Sequence, residues 1–371
     1  MKLTMPHMGN CYIAAEALFN EMGHEVIVPP LSSKKTLDLG TKYSPETACL
    51  PLKLNVGNFL EAIEMGAEII IMIGGRGPCR LGYYAAVEQE ILRDLGIQID
   101  FIILEHPRDN FHKLQKQLRI LIAKKGIKGL INGLRLAWEK LGAIEELERT
   151  SHVVRPREIH QGETSELLKK LLLQLRMTNT IAEIRKIRRL GLSKMQSLAV
   201  NREIQPLKIG IVGEIYTILE SFANLNLEER LGDLKVEVTR TVNLVDWIKE
   251  HLILSSIGLY SNKHLLEKAA GYLHSFVGGH GLESVARTVM LAEADYHGVI
   301  HILPFTCMPE IIVQGALLRV SSDYKIPVIT LVVDEHTGEM GFQTRLEAFV
   351  ELIARRLEAE KHAEKTSLSR C

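Results

Sequence analysis

Short apolar runs alternate with longer amphipathic segments over the first hundred residues of the chain. Runs rich in isoleucine and valine predict strands at residues 1–7, 25–28, 68–73 and 100–104. Apolar residues at helical spacing predict helices at residues 10–22, 51–65 and 82–95. Strands that are apolar at nearly every position are typical of a parallel sheet with helices on both faces. The pattern therefore predicts an α/β domain over residues 1–105.

The middle of the chain, residues 106–205, follows a different pattern. It contains no convincing β-run, and leucines recur at helical spacing, as at Leu167, Leu171 and Leu175. It also carries 21 Lys and Arg residues against 10 Asp and Glu residues. This segment is predicted to be a basic helical insert or linker. Its positive charge is either a solvated helix face or a docking face for an acidic partner or a phosphorylated ligand.

The alternation of strands and helices resumes at residue 206. Strands are predicted at residues 208–212, 235–241, 298–303 and 326–333. Helices are predicted at residues 246–252, 263–272, 282–294, 309–320 and 344–358. Residues 206–371 are therefore predicted to form a second α/β domain. The predicted fold class is α/β, with two parallel-sheet domains separated by the helical insert.

Composition and charge narrow the class of protein. The 371 residues suit two domains of roughly 100–200 residues each, and a hydrophobic content of 46% excludes a disordered chain. The 45 basic and 45 acidic residues balance, so no general attraction to nucleic acid is expected. Apolar runs such as residues 69–73 are far shorter than the roughly 18–20 residues of a membrane helix, and the start lacks the apolar segment of a secretory signal. We expect a cytoplasmic protein that binds neither nucleic acid nor membranes.

The cysteines are the first candidates for chemistry. There are five, an odd number spread over the whole chain, which does not fit a disulfide framework: Cys11, Cys49, Cys79, Cys307 and Cys371. Cys79 and Cys307 each follow a predicted strand and open a helix, and Cys49 lies in a loop that leads into a helix. Ligands of parallel sheets bind outside the carboxyl ends of the strands. At least two cysteines are therefore predicted to lie at the ligand-binding edge.

The surroundings of these cysteines suit an iron–sulfur cluster. Helix N-termini carry free N–H groups and partial positive charge, which lower the pKa of a thiol and favour an anionic cluster. Gly75 and Gly77 let backbone N–H groups approach a bulky anion, while Arg80 and Lys53 add positive charge beside Cys79 and Cys49. The alternative is that each cysteine is a small core residue, because free cysteines are often buried and this spacing matches no compact cluster motif.

Two carboxylates and one glycine-rich helix start are further candidates. Glu214 and Glu310 lie at strand or helix ends near the predicted crevice, where either is a candidate proton donor; Glu310 alternatively only caps its own helix. The segment 278–283 (GGHGLE) either binds phosphate, faces the cluster or forms a simple turn. A Rossmann site at 75–80 is a weaker alternative, because Arg80 occupies the position of the third glycine.

Several of these segments together resemble the 2-hydroxyacyl-CoA dehydratase/benzoyl-CoA reductase superfamily, and more closely its acyl-CoA dehydratase activase-related branch. The resemblance covers both α/β halves and contributes little in the insert. It is carried by residues 5–10 (MPHMGN), 44–46 (SPE) with Cys49 and Lys53, 74–84 (GGRGPCRLGYY), 213–216 (GEIY), 304–310 (PFTCMPE), and 334–335 with 344–349.

The resemblance implies two flavodoxin-like domains with a [4Fe-4S] cluster between them, held by Cys49, Cys79 and Cys307. It also implies an open fourth iron position, oxygen sensitivity, and a low-potential electron from a separate ATP-hydrolysing iron–sulfur activator. That electron would serve radical dehydration or reduction of a small substrate such as an acyl-CoA. Cys11 is either a bystander or a fourth ligand. The chain has one cysteine triad, and family dehydratases pair two subunits, so a homodimer or a heterodimer with a related subunit is expected.

Two other functions stay open at this point. The first is a non-catalytic electron-transfer or scaffold subunit that holds the same cluster. The second is a cluster-free α/β protein that binds a nucleotide or another ligand. No G-x-x-x-x-G-K-[ST] motif occurs, so the chain itself is not expected to hydrolyse ATP.

Overall fold

The computed structural model describes residues 1–74, 81–105, 111–254 and 262–368. Its first part is an α/β unit with four parallel strands in the order β2-β1-β3-β4. The strands are β1 (Lys2–Thr4), β2 (Glu25–Val26), β3 (Ile69–Ile73) and β4 (Asp100–Leu104). The helices are α1 (Tyr12–Glu21), α2 (Lys34–Tyr43), α3 (Leu50–Glu64) and α4 (Leu81–Asp94). Ile70, Ile71 and Met72 are buried in the central strand β3, as expected for a sheet covered on both faces.

Helices follow in the middle of the chain. They are α5 (Phe111–Ile122), α6 (Gly126–Val154), a 3₁₀ turn (Arg155–Arg157), α7 (Glu163–Met177) and α8 (Ile181–Gln196). The long helix α6 packs closely on α1, because a Cβ at Gly133 would lie only 2.7 Å from the carbonyl oxygen of Leu18. Arg185 and Arg188 of α8 pair with Glu139 and Glu146 of α6, so part of the positive charge is neutralised within the insert.

The second α/β unit repeats the strand order of the first, as β6-β5-β7-β8, and its four strands are again parallel. The strands are β5 (Leu207–Gly213), β6 (Val236–Arg240), β7 (Gly298–Pro304) and β8 (Val328–Val333). The helices are α9 (Ile215–Leu219), α10 (Leu227–Asp233), α11 (Leu244–Trp247), a π-helical segment (Ile248–Leu254), α12 (Lys263–Ala269), α13 (Gly281–Glu293), α14 (Met308–Tyr324) and α15 (Glu339–Leu368).

The two sheets confirm the predicted α/β class with two parallel-sheet units. Each follows the doubly wound order 2-1-3-4 that is found in flavodoxin-like domains. The carboxyl ends of β1 and β3, and of β5 and β7, are therefore the edges at which ligands are expected.

A shared apolar core joins the two units. Leu50 and Leu54 of α3 belong to the same buried cluster as Ile215 and Tyr216 of the second unit. The backbone N–H of Gly9 also donates to Glu220 Oε2 at 2.8 Å across this boundary. This packing fixes the start of α3 relative to the second sheet.

Helices α2 and α3 cross at two glycines. A Cβ at Gly40 would lie 1.6 Å from the carbonyl oxygen of Lys53, and a Cβ at Gly57 would lie 2.0 Å from that of Thr36. Such backbone-to-backbone contact leaves no room for any side chain, since real Cβ atoms do not approach other atoms so closely. The crossing therefore holds α3, and with it the residue that precedes α3, in a fixed position.

No helix in the described ranges is both long enough and apolar enough to cross a membrane.

Candidate functional site

Cys49 and Cys307 occupy equivalent positions at the starts of two helices, one from each α/β unit. Each is the N-cap residue, of α3 and α14 respectively, and each is followed two positions later by a proline, Pro51 or Pro309. A proline in the first turn lacks only an N–H that has no helical partner there, so it favours a helix start at this point. Both thiols are buried, with 9% relative exposure.

The two cysteine-bearing loops contact each other across the boundary between the units. Thr306, next to Cys307, donates its hydroxyl to the carbonyl oxygen of Thr47 at 3.3 Å. Negative charge on Cys49 is one of the contributions that raise the pKa of Cys307, so the two sulfurs are electrostatically coupled. The structure therefore brings together two cysteines that are far apart in the sequence.

The third predicted ligand, Cys79, lies outside the described residues, as do Gly75, Gly77 and Arg80. Among the described residues there is no group of three or more His, Cys, Asp or Glu side chains that could hold a metal ion. The roles of these four residues therefore stay predictions from the sequence.

The surroundings of Cys307 determine what its thiol can bind. Burial raises the pKa of Cys307 well above the ordinary thiol value, and the charges of Glu214, Glu310 and Cys49 raise it further, while the backbone N–H of Glu310 lowers it. A buried thiol among carboxylates ionises only when a cation binds it. Iron supplies that positive charge and prefers thiolate ligands, so the two described cysteines are of a residue type that holds iron.

Tyr84 was missed by the sequence analysis as a site residue. It lies in the first turn of α4, is buried, and its hydroxyl contacts the sulfur of Cys49. The sequence offered only an aromatic residue shortly after Cys79, which is equally typical of a core position. A hydroxyl at this place is positioned to donate a hydrogen bond to a thiolate, which stabilises the charged sulfur.

Lys53, predicted to add charge beside Cys49, is almost fully buried at 1% relative exposure. Its ammonium group pairs with Glu335 of the second unit and donates to the carbonyl oxygen of Glu46 at 3.1 Å. In the structure the side chain therefore links the two units through a buried ion pair, one helical turn after Cys49. Its part in binding a cofactor stays a prediction.

The buried ion pair gives a prediction for stability. Replacement of Lys53 by methionine leaves the Glu335 carboxylate without its cation, and we expect the free energy of unfolding to fall by about 2–3 kcal/mol. Urea unfolding followed by circular dichroism measures this change. Lys34→Met, which removes an exposed pair with Asp38, is the matched control and should cost less than about 0.5 kcal/mol. Equal unfolding midpoints for the two variants would contradict the expectation.

Glu214 caps helix α9 from inside the protein. Its carboxylate accepts hydrogen bonds from the backbone N–H groups of Tyr216 at 2.9 Å and Thr217 at 2.8 Å, and from the Thr217 hydroxyl at 2.8 Å. Burial raises the pKa of Glu214 and these hydrogen bonds oppose the shift. Its charge in turn raises the pKa of Cys307, so the carboxyl lies near the candidate site.

Glu310 is enclosed within the second unit, with no exposed surface. One carboxylate oxygen accepts from the Ser284 hydroxyl at 2.9 Å and from His301 Nε2 at 2.9 Å. His301 is itself fully buried and its Nδ1 lies 3.2 Å from Thr330 Oγ1. The network anchors the first turn of α14, directly behind Cys307.

Cys11, considered above as a fourth ligand, precedes helix α1. Burial raises the pKa of Cys11 to about 12, and the nearby Glu220 charge adds to the shift. Cys11 lines a small cavity between the loop before α1, helix α6 and the second unit, together with Glu145, Glu148 and Arg240.

Comparison with known proteins identifies one segment. Residues 6–72 match the family described as the CoA enzyme activase uncharacterised domain. The matched segment contains α1, α2 and α3, together with Cys49 and Lys53. The match confirms the resemblance to the activase-related branch over this segment. No curated protein matches the chain.

Proposed function

We propose that this chain, whose residues 6–72 carry a CoA enzyme activase domain, holds a [4Fe-4S] cluster between its two α/β units through Cys49, Cys79 and Cys307. The observation that carries the proposal is the contact between the loops of Cys49 and Cys307, each at the buried start of a helix from a different unit. When bound, the cluster supplies one-electron chemistry at low potential.

The chain's own residues would hold the cluster and tune its surroundings. The N-termini of α3 and α14 direct partial positive charge toward the thiolates, which partly offsets the burial that raises the pKa of Cys307. Tyr84 would donate a hydrogen bond to the Cys49 sulfur. Gly75, Gly77 and Arg80 are proposed to bring backbone N–H groups and positive charge from the Cys79 side. Burial of both thiols excludes water from the site.

An ATP-hydrolysing iron–sulfur activator is the proposed electron donor, and a small molecule, with an acyl-CoA as one class, is the proposed substrate. The chain is also proposed to pair with a second copy of itself or with a related subunit. Radical dehydration or reduction of that substrate also requires a group that delivers protons to the crevice.

A non-catalytic electron-transfer or scaffold role is the second candidate. The observation in its favour is that both predicted proton donors, Glu214 and Glu310, are buried and engaged in internal hydrogen bonds. An electron-transfer subunit requires the cluster and needs no proton donor.

The test is anaerobic purification followed by iron and acid-labile sulfide analysis. We expect a brown protein with about four iron and four sulfide atoms per protein chain. Serine at position 49, 79 or 307 should remove most of the iron, whereas Cys11→Ser, the matched control, should retain it. A colourless wild-type protein, or equal iron loss in the control, would overturn the proposal and favour a cluster-free ligand-binding protein.

The two cluster-bearing functions are separated in a second step. The iron-loaded protein is reduced by the activator and ATP, and candidate substrates are then added. Re-oxidation with formation of product indicates an enzyme. Re-oxidation only by an added acceptor protein indicates an electron-transfer subunit.

A further inference from the structure

Helix α13 is largely buried and has ionisable side chains along one side. His280, Glu283 and Arg287 follow the spacing i, i+3 and i+7, which places them on one side. The helix starts with the glycine-rich segment 278–281, which packs against Pro309. A Cβ at Gly281 would lie 3.0 Å from the carbonyl oxygen of Pro309. The polar face therefore begins beside the start of α14, where Cys307 lies.

Among the described residues, three buried polar atoms in this region have no hydrogen-bond partner: Glu283 Oε2, Arg287 Nε and Glu310 Oε1. Glu283 has 7% relative exposure and Glu310 has none. A buried polar atom without a partner costs about 1–3 kcal/mol, so three of them close together are unusual unless a bound molecule or a function requires them. The guanidinium nitrogen is a hydrogen-bond donor and the two carboxylate oxygens are acceptors. A water molecule bound here would find both kinds of partner.

The charges around Glu283 favour its protonated form. Burial raises the pKa of Glu283 to about 7, the charges of Glu310 and Glu250 contribute in the same direction, and Arg287 opposes them. His251 and His280 complete the set of titratable groups, and burial lowers the pKa of both, that of His280 to about 4. These shifts favour the uncharged form of both histidines and the protonated form of the Glu283 carboxyl.

His251 connects Glu283 to solvent. Its ring stacks on Trp247 with centroids 5.2 Å apart, and its Nδ1 lies 3.3 Å from the Trp247 carbonyl oxygen, so Nδ1 carries the hydrogen. The other nitrogen, Nε2, lies 4.0 Å from Glu283 Oε1, and the side chain is 29% exposed. At this distance one bridging water would let Nε2 take a proton from solvent and pass it to the carboxylate. The ring is held by a π-helical segment, a form that is frequent at functional sites.

We propose that Glu283 is a proton store for the crevice, reloaded from solvent through His251 and discharged toward the start of α14, beside which the polar face of α13 begins. In one cycle the Glu283 carboxyl gives one proton to a basic atom of the substrate, and becomes a carboxylate. One proton taken from solvent at His251 Nε2 then restores the carboxyl. The proposal rests on the proposed function, because it supplies proton delivery to the crevice while Glu214 and Glu310 are engaged in internal hydrogen bonds.

The first test needs no cluster. Wild-type protein and Glu283→Gln are labelled with ¹³C at the glutamate carboxyl carbon, and both are titrated by NMR. We expect a carboxyl that titrates near pH 7 in the wild type and is absent from Glu283→Gln, whereas the carboxyl of Glu88, with a pKa of about 8, titrates in both. The matched control is Glu293→Gln, which changes an exposed partner of Lys268 on the same helix and should keep that signal. If the wild-type signal that is lost in Glu283→Gln titrates below pH 5, the proposal is overturned.

The second test uses iron-loaded protein and follows proton uptake during reduction with a pH-indicator dye in a stopped-flow instrument. Glu283→Gln and His251→Gln should each slow proton uptake at least about tenfold, while Glu293→Gln should not change it. Uptake at the wild-type rate in Glu283→Gln would overturn the proton store. A protein without iron would instead refute the proposed function, and the NMR titration would still report on Glu283.

Discussion

An alanine at position 40 is expected to lower the free energy of unfolding by about 4 kcal/mol or more, because the added methyl group has no place to go. Its carbon would lie 1.6 Å from the carbonyl oxygen of Lys53, which is helix backbone and cannot turn aside as a side chain does. Helices α2 and α3 would have to separate, and the apolar contacts between them would be lost. Urea unfolding measured by circular dichroism gives the size of the effect.

The same substitution should reach the candidate site, since α3 starts at Cys49 and crosses α2 through Gly40 and Gly57. We expect Gly40→Ala also to reduce the iron content of anaerobically purified protein. The control is Gly142→Ala in α6, where no atom lies within 4 Å of the added carbon. There alanine should stabilise the helix by up to about 1 kcal/mol. Equal stability of the two variants would show that the α2–α3 crossing is looser than described.

Replacement of Glu88 by glutamine is expected to change how stability depends on pH. Glu88 of α4 is fully buried and accepts one hydrogen bond, from Asn55 at 3.0 Å. Burial raises the pKa of Glu88 to about 8, and the bond from Asn55 only partly opposes this. Because the folded pKa lies above the unfolded value of 4.5, the stability that Glu88 contributes is complete below pH 4.5 and is lost as the pH rises toward 8.

The glutamine variant has no proton to lose, so its stability should exceed that of the wild type by on the order of 4 kcal/mol at pH 9, relative to the difference at pH 4.5. Urea unfolding over this pH range measures the two curves. Glu90→Gln, an exposed position on the same helix, should run parallel to the wild type. Parallel curves for Glu88→Gln as well would mean that the carboxyl ionises near its ordinary pKa in the folded protein.

The strands were predictable from the sequence because the signal for a buried strand is local. A run such as residues 69–73 is apolar at every position and has only one stable environment, between two layers of helices. Helix α2 was not predicted, because its segment KKTLDLGTKY has few apolar residues and a central glycine. It is stabilised by the capping box of Ser33 and Thr36 and by the crossing with α3, and the crossing is not visible in a local pattern.

In the helical segment after residue 245, the sequence predicts a helix but not its type. The apolar spacing predicts one helix over residues 246–252, and the structure has a short α-helix, Leu244–Trp247, followed by the π-helical segment Ile248–Leu254. The segment is short, so its apolar spacing does not separate the two helix types. The wider turn matters because it carries His251 toward Glu283.

Some side-chain positions could be predicted from the sequence, and others could not. That Cys49 and Cys307 begin helices could be predicted, because each is followed by a proline two positions later. That Lys53 pairs with Glu335, or that Glu310 meets His301 and Ser284, could not be predicted, because these contacts join residues whose spacing in the sequence has no pattern.

The strands, most of the helices and the two parallel-sheet units could be predicted from the sequence, because apolar periodicity and proline positions are patterns within a few residues. The sequence also pointed to the cysteines at helix starts. Three features became visible only in the folded structure. The Cys49 and Cys307 loops touch, Lys53 links the two units, and Glu283 faces His251 and Arg287. The reason is physical: such contacts depend on how two sheets and the helices between them pack, and that packing is set by the whole buried surface.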